Sequence, residues 1–143
     1  MILLDSNVLI YAATASDPRR GACEAVLRKA FLPPHEYALT WINLFEFLRV
    51  VTHPRVLPLP MEFDRALENA RDLADSVPIL HPGPRHLDYV AQASRDLAPV
   101  RGDRVFDCRI AAILLENGGS RILSFDTHLR RVQGLKVFPP GES

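Results

Sequence analysis

The chain opens with four apolar residues, Met1 to Leu4, and the run stops at the carboxylate Asp5. Ser6 and Asn7 follow, and apolar residues resume at Val8, Ile10, Tyr11 and Ala12. A short apolar run ended by Asp-Ser-Asn predicts a buried parallel strand, a turn and a helix start. The same alternation continues. Apolar spacing predicts a helix over 19–32, entered at Ser16-Asp17-Pro18 and ended by Pro33-Pro34. A strand over 37–40 is followed by a helix over 41–51. There Trp41, Leu44, Phe45 and Leu48 fall at i, i+3, i+4, i+7, the expected core face, with Glu46 off that stripe. Beyond a loop stiffened by Pro54, Pro58 and Pro60, a helix over 61–74 has Phe63, Leu67, Ala70 and Ala74 as its inward candidates. Residues 77–80 read as an edge strand, because Pro78 cannot donate to a ladder. Helices over 85–97 and 103–117 come next, the second closed by Asn117-Gly118-Gly119. Strands over 121–125 and 135–138 flank a short helical turn at 126–130. Strands alternating with helices imply an α/β fold with a parallel sheet.

The composition supports one globular unit over 1–143. There are 143 residues, 48% of them hydrophobic and 24% charged, and no internal repeat or linker. No apolar run reaches the roughly 20 residues of a membrane span. No signal peptide is apparent, so Cys23 and Cys108, which lack metal-type spacing, are expected as reduced thiols in a cytosol. Seventeen basic residues balance seventeen acidic ones. Zero net charge argues against a binder that relies on a basic surface. It leaves room for an enzyme that meets phosphate through a metal ion and a few local arginines. Lys29 and Lys136 are the only lysines. The bias to Arg suits phosphate contacts, and it is also what a GC-rich coding sequence produces.

Four acids occupy places where a site needs them. Asp5 and Asp126 each follow an apolar strand. In an open parallel sheet, ligands bind at the carboxyl ends of the strands. Glu46 lies about 8 Å along the helix after the second strand. Asp107 lies in the first turn of the helix opened near Arg104. Each has a structural reading as well: Asp5 and Asp126 as helix caps, Asp107 as a dipole partner, Glu46 as an ion pair with Arg49. Four carboxylates on one rim would raise one another's pKa, and a divalent cation resolves that conflict. Mg²⁺ binds carboxylates together with substrate phosphates, which points to phosphodiester hydrolysis.

Taken together, these segments resemble a known family. Asp5-Ser-Asn-Val-Leu-Ile-Tyr11, Asn43-Leu-Phe-Glu46 through Thr52-His-Pro-Arg55, Val105-Phe-Asp107-Cys-Arg-Ile-Ala-Ala112 and Leu123-Ser-Phe-Asp126 resemble, in order and spacing, the PIN-domain ribonucleases. More narrowly they are similar to VapC-type toxins of bacterial toxin–antitoxin pairs, as is Pro82-Gly-Pro-Arg-His86. The resemblance implies a three-layer α/β/α sandwich with a mostly parallel sheet, and Mg²⁺- or Mn²⁺-dependent endonuclease activity on RNA. It implies Asp5, Glu46, Asp107 and Asp126 as metal ligands, with Asn7 and Ser124 supporting them. It further implies a homodimer silenced by a small VapB-like antitoxin. The chain departs from the common pattern at Cys108-Arg109, at Leu129, where an aromatic residue is usual, and at the additional acid Asp103.

Arg101, Arg104, Arg109, Arg130 and Arg131 surround the last two acids in sequence. Arg104, Arg109 and Arg130 are candidates for RNA phosphate contacts, and a solvated salt-bridged surface is the competing reading. His35, His53, His81 and His86 fall in loops without helical metal spacing, whereas His128 lies beside Asp126. Two rival functions stand. A haloacid-dehalogenase-like phosphatase also begins with a strand ending in Asp, but it needs a second Asp where Asn7 stands. A catalytically silent PIN-like module that binds RNA or protein would have no use for all four acids.

Overall fold

The computed structural model describes residues 1–141. Four short strands, β1 (Ile2–Leu4), β2 (Tyr37–Ala38), β3 (Arg121–Leu123) and β4 (Lys136–Phe138), form one sheet in the order β2-β1-β3-β4. Every pairing is parallel, with Leu3 opposite both Ala38 and Ile122. Six helices cover it: α1 (Ser6–Ala12), α2 (Arg20–Ala30), α3 (Trp41–Val51), α4 (Phe63–Ser76), α5 (His86–Leu97) and α6 (Arg104–Glu116). A short 3-10 turn spans His128–Arg131.

The two-residue period of a strand divides the core. Leu4 and Leu123 join one apolar cluster with Leu39 and residues of α1 to α4. Leu3, Ile122 and Val137 join a second with residues of α5 and α6. Helices on both faces make the three-layer α/β/α sandwich, and burial on both faces explains why the strands read as unbroken apolar runs. The chain leaves β1 toward β2 on one side and reaches β3 on the other. The topological switch therefore falls between β1 and β3, where open α/β sheets hold their ligands.

Two helices are rotated from their expected faces. In α3 the buried residues are Leu44, Phe47, Leu48 and Val51, while Trp41 and Phe45 are exposed. The helix is apolar nearly all round, so the same i, i+3, i+4, i+7 template fits both stripes. The choice between them is made at its start. Thr40 caps the helix, its hydroxyl accepting from Asn43 N (3.2 Å), and the buried Asn43 carbonyl accepts from Thr40 N and Oγ1 (3.2 and 2.7 Å). In α4 the buried residues are Ala66, Ala70 and Leu73, and Phe63 and Leu67 are exposed. Small alanines let α4 lie close against the first cluster. The expected strand over 77–80 contributes only one bridge, Leu39 to Ile79, at the edge beside β2. Pro78 offers its carbonyl to Leu39 N (2.9 Å) but has no N–H to extend the ladder.

The Pro82-Gly83-Pro84 turn is fixed by α6. The Glu116 carboxylate accepts from Gly83 N and Arg85 N, both at 2.9 Å, and a Cβ at Gly83 would collide with it. Cys23 and Cys108 are free and buried. Among the described residues, no helix is long and apolar enough to cross a membrane.

Candidate active site

Asp5 leaves β1 at the switch point and caps α1, its Oδ1 accepting from Ser6 N at 2.8 Å. The capping role and the site position thus coincide in one side chain. Its other oxygen, Oδ2, accepts a 2.6 Å hydrogen bond from Ser124 Oγ, at the end of β3. The Asn7 amide donates to Ser124 Oγ (2.9 Å) and, more weakly, to Asp5 Oδ2 (3.4 Å). Ser124 Oγ in turn accepts from Asp126 N (3.0 Å), which ties the fourth acid to the first. Asn7 and Ser124 are therefore direct hydrogen-bond partners of Asp5.

The other acids come from separate elements. Glu46 stands half-buried on α3, and Asp107 half-buried in the first turn of α6. Asp126 is exposed just after β3, its Oδ1 accepting from His128 N at 2.9 Å. Neighbouring acids add to the shifts of Asp5, Glu46 and Asp107, in each of which burial is the larger cause. Burial raises the Asp5 carboxyl above its ordinary range; Ser124 and Ser6 oppose the shift, and the charges of Asp107 and Asp126 add to it. Burial also raises Glu46, reinforced by Asp5 and Asp107 and opposed by the nearby Ser6 hydroxyl and Arg49. Asp107 is raised by burial and by Asp126, against the opposing charges of Arg104 and His128.

Glu46, Asp107 and Asp126 line an open cleft of about 570 Å³ together with Asp103, Arg49, Arg104, Ile42, Phe45 and Phe106. Arg104 reaches between two acids, 3.0 Å from Asp107 Oδ2 and 3.7 Å from Asp126 Oδ2. Among the described residues, no ion pair joins Glu46 to Arg49, and no three Asp, Glu, His or Cys side chains form a ready-made metal cluster. The donors are oxygens alone. Such a set suits a hard cation that keeps much of its water, as Mg²⁺ does with one or two carboxylates, and not a closed site of four protein ligands.

Of the three arginines expected near phosphate, only Arg104 enters the cleft. Arg109 Nε donates to His86 Nε2 (3.0 Å), pinning α6 to the start of α5. Arg130 Nε donates to Val137 O (3.1 Å) on β4. Arg131 reaches Ala98 O (3.0 Å). Sequence neighbourhood misled here because successive residues on a helix or turn point in different directions. The cleft instead recruits Arg49, one turn along α3 from Glu46. The i, i+3 spacing that suggests an ion pair with Glu46 places Arg49 in the same cleft instead.

A PIN domain family model matches residues 2–135. Ribonuclease VapC33 of Mycobacterium tuberculosis is 32% identical over 142 residues, covering 98% of each chain. Two solved structures share the fold. The VapBC2 complex from Rickettsia felis, bound to a DNA fragment from its promoter, aligns at a TM-score of 0.69 and 15% identity, over 97% of this chain and 98% of that one. Mycobacterium tuberculosis VapC20, described as a sarcin-ricin loop cleaving toxin, aligns at a TM-score of 0.67 and 20% identity, over 97% and 100%. In sequence and in fold alike, this chain belongs to the PIN-domain family, among the VapC ribonucleases.

Proposed function

We propose that this protein is an Mg²⁺- or Mn²⁺-dependent endoribonuclease, the toxin of a toxin–antitoxin module, and that Asp5, Glu46, Asp107 and Asp126 hold its metal, one or two of them directly and the others through its bound waters. One observation carries the reading: four carboxylates from four separate elements gather at the carboxyl end of the sheet, Glu46, Asp107 and Asp126 around one cleft and Asp5 joined to Asp126 through Ser124, so that neighbouring acids add to the shifts that burial produces at Asp5, Glu46 and Asp107. Such mutual repulsion is maintained against stability unless a cation relieves it. The family membership and the name of the VapC33 relative support the ribonuclease part of the reading.

A bound divalent cation supplies two things, a water acidified enough to attack phosphorus and stabilisation of charge on the leaving oxygen. The protein's own residues do the rest. Ser124, Asn7 and Ser6 N fix the Asp5 carboxylate in one orientation. Glu46, on α3, lies within electrostatic reach of Asp5, so that the scissile phosphate would sit between the carboxyl end of the sheet and helices α3 and α6. Arg49 and Arg104 offset the charge of adjacent phosphates. The water oxygen bonds to phosphorus, the bond from phosphorus to the 3′ oxygen breaks, and that oxygen leaves with a proton. The products carry a 5′-phosphate and a 3′-hydroxyl. The exposed cleft would be covered by a small VapB-like antitoxin, consistent with the VapBC complex among the solved neighbours.

The test is cleavage of a mixed structured-RNA pool by the partner-free chain. Discrete cuts with Mg²⁺ or Mn²⁺, abolished by EDTA, restored by added metal and leaving 5′-phosphates, are expected. Equal cutting in EDTA would refute metal dependence. No cutting by a folded, partner-free protein would favour a module that only binds.

A further inference from the structure

Phenylalanine precedes each of the two helix-borne acids, in Phe45-Glu46 and Phe106-Asp107. Neither ring packs into a core. Phe45 is 66% exposed and Phe106 is 47% exposed, and both line the acidic cleft, one from α3 and one from α6. Among the described residues, neither ring takes part in the aromatic pair, Tyr11 with Phe125, or in the cation–π contacts, which involve Tyr11, Phe125 and Tyr89. Single exposed apolar side chains are common, Phe31 and Phe63 among them, but Phe45 and Phe106 form a pair of rings on the rim of one polar cleft. The core contribution of α3 comes from Leu44, Phe47, Leu48 and Val51 on its other face.

The same cleft holds two arginines, Arg49 and Arg104, and the acids. Aromatic faces interleaved with guanidinium groups form the chemistry that grips single-stranded nucleic acid. The cations follow the phosphates, and bases stack on the rings. In a duplex the faces of the bases are already stacked on one another and closed to the protein. We propose that Phe45 and Phe106 are the residues that stack unpaired bases on either side of the scissile phosphate, and so select the strand that enters the cleft. This inference rests on the ribonuclease reading and assigns its substrate-positioning residues.

The experiment uses the partner-free chain in EDTA and a short unstructured RNA carrying one 2-aminopurine, alone and as a duplex. Phe45→Leu and Phe106→Leu keep apolar bulk on an exposed surface and remove the ring; Phe45→Trp keeps a ring. Circular dichroism checks folding, and sedimentation checks the oligomeric state. Binding of the single strand should quench 2-aminopurine, and the duplex should bind far more weakly. Each Leu variant should lose about tenfold in affinity, together with part of the quenching. Phe45→Trp should restore both. Leu variants that bind and quench like the wild type would overturn the proposal, as would equal binding of the duplex. Leu variants that split a wild-type dimer would also overturn it, by showing that the rings form an interface between copies. Persistent metal-dependent cutting with unaffected Leu variants sinks the stacking role alone. A wild-type chain that neither binds nor cuts any RNA sinks the nuclease reading with it.

Discussion

Asp5 and the acids that line the open cleft are held on different terms. On the sheet side Asp5 is held at both oxygens, by Ser6 N and by Ser124 Oγ, with Asn7 bridging behind. Its donors come from the ends of β1 and β3, elements paired through the centre of the sheet. On the cleft side Asp107, in the first turn of α6, and Asp126, just after β3, share one cation, Arg104, whose side chain is 44% exposed, and Asp126 is itself 53% exposed. One side is pre-organised and partly dry; the other is wet and adjustable. A site that must position one atom accurately and still admit a polymer is served by that division.

The contrast can be broken most severely at Asp5. Asp5→Asn should reduce cleavage by roughly a thousandfold or more, since several kcal/mol of transition-state stabilisation depend on a metal held in register. Its melting temperature should not fall, because burial already disfavours the charged carboxyl. Asp126→Asn, on the adjustable side, should lose far less. Equal losses in the two variants would erase the distinction. Ser124→Ala tests the rigid side through its support. Cleavage and Mn²⁺ affinity should fall about 10- to 100-fold, the usual effect of removing a group that orients a ligand. Arg104→Gln tests the adjustable side. Without its guanidinium competing between Asp107 and Asp126, Mn²⁺ should bind a few-fold more tightly, while the KM for RNA rises through loss of a phosphate contact. Weaker Mn²⁺ binding would show that Arg104 organises the acids instead of standing in for a cation.

The smallest effect is on stability. A carboxyl with a raised native pKa binds more protons folded than unfolded, so its contribution to stability falls as pH rises through the native value. Asp5 is raised from 3.8. In EDTA, the melting temperature of the wild type relative to Asp5→Asn should therefore rise as pH is lowered from neutral toward that ordinary value. Saturating Mn²⁺ should flatten the difference. A relative melting temperature that falls on acidification would contradict the direction.

Much of this was legible in the sequence because it depends on local chemistry. A four-residue apolar run ended by Asp-Ser-Asn defines strand, cap and helix together, and β1, Asp5 and α1 appear as expected. Asn117-Gly118 closes α6 with Gly118 at φ +80°, as a left-handed cap requires. The failures were at positions where local chemistry is degenerate. An almost uniformly apolar α3 has no unique stripe, so the spacing that favours Phe45 as a core residue fits Phe47 equally well, and it is Phe47 that is buried. The directions of Arg109 and Arg130 depend on His86 and on the Val137 carbonyl, partners distant from the acids that no sequence spacing reveals. Residues 77–80 carry strand-like apolar character, but Pro78 and the turn beyond it leave a single bridge.

The proposed chemistry depends on a divalent cation held by Asp5 and the cleft acids Glu46, Asp107 and Asp126. The most direct measurement is an equilibrium titration of Mn²⁺ into the partner-free protein, followed calorimetrically and by electron paramagnetic resonance, for the wild type and for Asp5→Asn. The account predicts saturable binding by the wild type, displaced by Mg²⁺ and lost or severely weakened in the variant. Binding that is absent from the wild type, or unchanged in Asp5→Asn, would contradict it.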